Sequence, residues 1–119
     1  MAQTLIRKEQ IEDYAVTYAT TTVASSATPT PTGNAQRNEL IVTALAENAT
    51  IAAPTGTPAA GNMLKLIITA TGATRTVGYN AALTAGNVTR TTSVPAGETL
   101  VQVYQYQNAA WVCMFDDLN

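Results

Sequence analysis

The chain has 119 residues, with six basic and eight acidic side chains, one cysteine and no histidine. That length suits one domain, and a charged fraction of 12% against an average of about 25% leaves the surface to Thr, Asn, Gln and Ser. Without histidine, and with Cys113 alone, one chain cannot assemble the common zinc sites, a Ser-His or Cys-His nucleophile pair, or an internal disulfide.

The basic residues Arg7, Lys8, Arg37, Lys65, Arg75 and Arg90 are scattered, whereas phosphate binding needs them clustered, so no nucleic-acid partner is expected. No apolar run is long enough to span a membrane. The opening "MAQTLIRKEQIEDYAV" carries charge where a signal peptide has its apolar stretch, so no secretory export is expected.

In residues 1–17 the spacing of Ile11, Tyr14 and Ala15, continued by Tyr18, is that of a short helix, with an extended strand or a tail as the alternative. From Tyr18 the sequence turns to "YATTTVASSATPTPTGNAQRN", threonine-rich and without period, where Pro29 and Pro31 hold the chain extended and remove backbone donors. Its Thr, Val, Ala and Tyr suit pairing with another strand edge better than a solvated tether. The expected organisation is an N-terminal arm over 1–37 and a β-domain over 38–119.

After Glu39, short strands alternate with turn residues, the pattern of an all-β fold, expected here as a small antiparallel sandwich or barrel-like domain. "ELIVTAL" is followed by "ATIAA", and "PTGTPAAGN" is a long, stiff connection. "MLKLIITA" puts Leu64, Leu66 and Ile68 on one face and Lys65, Ile67 and Thr69 on the other, and the apolar Ile67 implies a second face that is partly covered. "TGAT" reads as a hairpin turn into "TRTVGYN". In "TLVQVYQYQ", Leu100, Gln102, Tyr104 and Tyr106 share a face opposite Val101 and Val103. A tight "NAA" link leads to "WVCMF", where Trp111, Cys113 and Phe115 share a face and the thiol is buried and inert.

Chemistry-bearing groups are few. Asp116 and Asp117 are adjacent in "FDDLN", point opposite ways if extended, and read as a solvated tail. The glycine-rich segments lack a phosphate-loop ending. No catalytic set, metal site or cofactor is expected. Tyr79, Tyr104, Tyr106, Trp111 and Phe115 are expected to serve packing or subunit contact in a core poor in large residues, with Tyr104, Tyr106 and Trp111 the candidates for a subunit interface and stacking on a carbohydrate as the alternative.

The segments "LIVTALAENATIAAPTGTPAAGNMLKLIITATGATRTVGYN" and "PAGETLVQVYQYQNAAWVCMF" resemble a β-domain of tailed-bacteriophage virion structural proteins, found in head decoration (cement) proteins and in head or neck fibres. The resemblance covers about two thirds of the chain, with Tyr79 where a tryptophan is often seen. It implies a trimer made in the host cytoplasm and mounted on the capsid surface, stabilising the major capsid protein lattice. A fibre anchored by its N-terminus is the alternative. The attachment residues expected on this basis are Leu5, Ile6, Ile11 and Tyr14 as anchors, with Thr17, Tyr18, Thr20, Thr21, Thr22, Val23, Pro29, Pro31 and Arg37 along the arm.

Overall fold

The computed structural model describes residues 16–119, so Leu5, Ile6, Ile11, Tyr14 and the expected helix lie outside the described residues. The described chain is all-β, with nine strands and no helix among the described residues: β1 (Tyr18–Val23), β2 (Arg37–Leu45), β3 (Ala49–Ile51), β4 (Met63–Ala70), β5 (Arg75–Tyr79), β6 (Leu83–Thr84), β7 (Ser93–Val94), β8 (Thr99–Gln107) and β9 (Ala110–Leu118). They form a six-stranded sheet in the order β1-β2-β4-β8-β9-β6 and a three-stranded sheet in the order β3-β5-β7.

Both sheets contribute to one hydrophobic core. Leu40, Val42 and Leu45 of β2, Leu64, Leu66 and Ile68 of β4, and Leu100 and Tyr104 of β8 meet Ile51, Val77 and Val94 of the smaller sheet, with Trp111 and Cys113 of β9 in the same cluster. Alternation places these side chains, and each large one contributes about 1.5–3 kcal/mol by leaving water. A register shift between Val42 and Leu45 changes the parity of β2, so Leu45 still faces inward.

Two features differ from the antiparallel expectation. First, β1, β2 and β4 run parallel, as do β3 with β5 and β6 with β9. The chain leaves β2, forms β3 in the other sheet and returns along "PTGTPAAGN", and such a long connection permits a parallel return. Second, β4 and β5 are not a hairpin, because "TGAT" carries the chain from one sheet to the other. Arg75 fixes that turn, its Nε and guanidinium nitrogen donating to the Thr71 carbonyl at 3.1 and 2.9 Å. The β8–β9 hairpin forms as expected, its two-residue turn holding Asn108 and Ala109 at φ 52° and 62°.

The described part of the expected arm is built into this fold. Tyr18–Val23 pairs in parallel with Arg37–Val42, so β1 is an edge strand of the large sheet. The chain then crosses to the smaller sheet. The carbonyls of Ala27, Pro29 and Pro31 accept from the amides of Thr50, Ala52 and Thr55, each at 2.9 Å, and Gly33 donates back to Thr55 at 2.8 Å. The prolines suit an edge because they accept bonds without donating. The outward Thr28 amide and carbonyl are taken by the Ser26 and Thr30 hydroxyls, which blunts that edge.

Asn38, the expected first residue of a separate β-domain, is the clamp that joins the two parts. Its buried side chain accepts from the Thr32 hydroxyl and the Ala35 amide and donates to the carbonyls of Ala35 and Met63 at 2.8 and 3.0 Å. A boundary at 37/38 would cut through this cluster.

Candidate functional site

Two arrangements of side chains stand out, one inside the fold and one on its surface. The inner one begins with a bulge. In β9 the register shifts opposite Val103 and Tyr104, so that Cys113 pairs with Tyr104 and Phe115 with Val103. Met114 is the extra residue, and beyond it the parity reverses. Phe115, expected to share a face with Trp111 and Cys113, therefore points outward and is 50% exposed. Asp116, expected in a solvated tail, points inward.

There Asp116 meets Gln102, which is fully buried on β8. Gln102 Nε2 donates to Asp116 Oδ2 and to the Tyr79 hydroxyl, each at 2.7 Å, and its Oε1 accepts from the Tyr104 hydroxyl at 3.0 Å. Thr91 adds two bonds to the carboxylate, from its amide at 2.8 Å and its hydroxyl at 2.7 Å. Tyr79 donates to the Thr91 carbonyl. Arg90 lies over the Tyr79 ring, 4.1 Å from its centroid, and donates to the Leu83 carbonyl at 2.7 Å.

The electrostatics follow from burial and these bonds. Burial pushes the Tyr79 hydroxyl up to about 12, against a partial offset from Gln102, and raises Tyr104 further. Burial likewise raises the Cys113 thiol, keeping it protonated and inert. Burial alone would raise Asp116 too, but the bonds from Gln102 and Thr91, helped by Arg90, outweigh it and hold the carboxyl below its ordinary value. Every buried polar side-chain atom in the described residues has a partner. These bonds make the cluster a polar pin joining β8, β9, β5 and the loop carrying Arg90 and Thr91.

The outer arrangement is the other face of the six-stranded sheet. Cross-strand register lines up three rows over five strands: Tyr18, Arg37, Met63, Gln105, Val112; then Thr20, Glu39, Lys65, Val103, Phe115; then Thr22, Ile41, Ile67, Val101, Asp117. Ile41, Ile67, Val101 and Val103 are half-buried by their neighbours and no described strand lies over them, while Tyr18 is 75% exposed. Tyr18, Arg37, Glu39, Met63, Lys65 and Val103 line a groove of about 390 Å³ on this face.

The residues expected at an interface are divided by this geometry. Tyr104 and Trp111 are 0% and 3% exposed, so they are core residues and neither a subunit contact nor a sugar-stacking platform. Tyr106 is half-buried with its ring 5.2 Å from Trp111. Of the arm residues, Pro29 and Pro31 are buried, and Thr21 and Val23 point inward from β1. Thr17 is spent on mutual bonds with Gln36 at 2.9 Å. Tyr18, Thr20, Thr22 and Arg37 remain on the outer face. Sequence reasoning missed this face as a unit, although Ile41, Ile67, Val101 and Val103 at alternating positions of three strands carried its signal.

Among the described residues no three His, Cys, Asp or Glu side chains come together as a metal site, and no helix is long and apolar enough to cross a membrane. Comparison with protein-family models, curated proteins and solved structures finds no match for the chain.

Proposed function

We propose that the protein is a structural subunit of a tailed-bacteriophage virion, a capsid decoration protein that associates with copies of itself, as a trimer, and with the major capsid protein at the capsid surface. In this reading the two sheets form a compact β-sandwich whose role is to present surfaces, not to carry out a reaction. The observation that carries it is the outer face of the large sheet, which no described strand covers and where Ile41, Ile67, Val101, Val103 and Phe115 form a continuous apolar patch. Contiguous exposed apolar surface of this kind marks protein interaction sites.

The internal bonding supports the same reading. The polar groups inside the fold are paired with one another and the segment 18–33 is tied down on both sheets, which gives a stiff body suited to a lattice fitting. The sequence resemblance supplies the virion setting. The test is to add the purified protein to expanded capsids that lack it, then measure bound copies by sedimentation and the temperature at which the capsids release DNA. Saturable binding at hundreds of copies with a higher release temperature is the expected result. No binding, or binding without a change in heat resistance, refutes the decoration role.

A further inference from the structure

We infer that the outer face of the six-stranded sheet is where copies of this chain meet, with the row Ile41, Ile67, Val101 as its apolar contact. This deepens the assembly reading above and does not depend on the virion setting.

Three observations select a second copy as the occupant. The first is charge. The grid carries Arg37 and Lys65 against Glu39 and Asp117, so its charges cancel. A polyanion or a strongly charged protein surface would call for one sign, whereas a mixed, neutral face complements itself. The second is area. Five strands about 4.8 Å apart and three rows about 6.8 Å apart, with side-chain margins, make a surface on the order of 500 Å² before corrugation is counted. That is more than half of the roughly 800 Å² each partner gives to a standard interface. The third is composition. Ile41, Ile67, Val101 and Val103 form one joined apolar group that Phe115 extends at one side, next to Glu39 and Lys65 in the middle row and with Tyr18 at the far corner, a mixture of apolar contact and paired charge that a protein interface uses.

The other faces offer less. The inner face of the same sheet is filled by the smaller sheet, and the edge formed by 27–33 is blunted by its own hydroxyls. The polar cluster around Gln102 is internally satisfied. Residues 1–15 join the described chain next to Tyr18, and they are the competing occupant, within one chain, that the experiment must separate from a second copy.

The experiment is solution mass by light scattering over a dilution series, on the full chain and on two single variants, Phe115→Glu and Ile67→Lys. Both positions face outward, so folding is checked by circular dichroism and thermal unfolding. Phe115→Glu, at a half-exposed site, serves if Ile67→Lys proves unstable. Thr50→Lys, exposed on the smaller sheet, is the control. The expected result is a full chain at a multiple of 12.5 kDa, a dissociation constant raised about tenfold or more by either folded variant, and no change in the control. A full chain that stays at 12.5 kDa would mean that residues 1–15 or another partner covers the face and would overturn the inference. Folded variants that keep the full chain's mass would overturn it equally. Failure to bind capsids, by contrast, leaves these masses unaffected and bears only on the decoration role.

Discussion

Gln102 and Asp116 face each other across the β8–β9 pair, the glutamine donating to the carboxylate at 2.7 Å from a site with no exposure to water. The pair exists because Met114 is an extra residue in β9 that turns Asp116 inward. Replacing Gln102 by Leu removes donors to Asp116 and Tyr79 and the acceptor of Tyr104 at once. Asp116 and Tyr79 keep their bonds to Thr91, but the Tyr104 hydroxyl loses its acceptor and the carboxylate a donor inside the core, so Gln102→Leu is expected to lose about 2–4 kcal/mol in urea unfolding.

The same cluster sets a pH dependence at both ends. Asp116 titrates lower in the folded chain than its ordinary value of 3.8, so its contribution is complete above that value and is lost as pH falls through the folded one. Tyr79 titrates higher, at about 12 against 10.0, so the folded state favours its neutral form, and that contribution is complete below pH 10 and is lost as pH rises towards 12. Unfolding midpoints taken across pH should show both limbs. Asp116→Asn should flatten the acid limb relative to the parent, and Tyr79→Phe the alkaline one.

Much of the fold was legible because alternation and turn chemistry are local. "MLKLIITA" and "TLVQVYQYQ" state their inner and outer faces in single letters, and "NAA" marks a tight turn. What was not legible is non-local. β1 pairs with residues 19 positions onward in parallel, and its threonines do not alternate with apolar residues, so nothing in "YATTTV" marks it as this chain's own edge strand. A bulge leaves no compositional mark either, so alternation puts Phe115 on the inner face and the sequence reads Asp116 as a solvated tail. Whether Tyr104 and Trp111 serve packing or subunit contact depends on the second sheet, whose strands β3, β5 and β7 are three, five and two residues long and give little periodic signal.

The hairpin turn offers a gain in stability. Ala109 sits at φ 62°, a left-handed conformation that penalises a Cβ, and such turns favour glycine. Ala109→Gly is expected to raise stability by about 0.5–1 kcal/mol, read as a higher urea midpoint with an unchanged slope. A lower midpoint would show that the turn is held by contacts other than backbone preference.

Gly33 marks a close approach. A Cβ there would lie 2.9 Å from both Pro54 Cβ and Trp111 Cζ2, so Gly33→Ala must shift the segment 31–35 or the indole. The expected loss is about 1–3 kcal/mol. It should be accompanied by a red-shifted Trp111 fluorescence as the ring gains access to water.

The central claim is that residues 18–33 belong to this chain's own fold and leave the outer sheet face as the surface for assembly. The most direct measurement is thermal unfolding, by circular dichroism, of a chain that starts at Asn38 beside the full chain. Losing β1 and the carbonyls that hold Thr50, Ala52 and Thr55 uncovers one side of both sheets. The account predicts that the shortened chain shows no cooperative transition or aggregates. A shortened chain that melts cooperatively at the full chain's temperature would contradict it and restore the segment to a separate anchor.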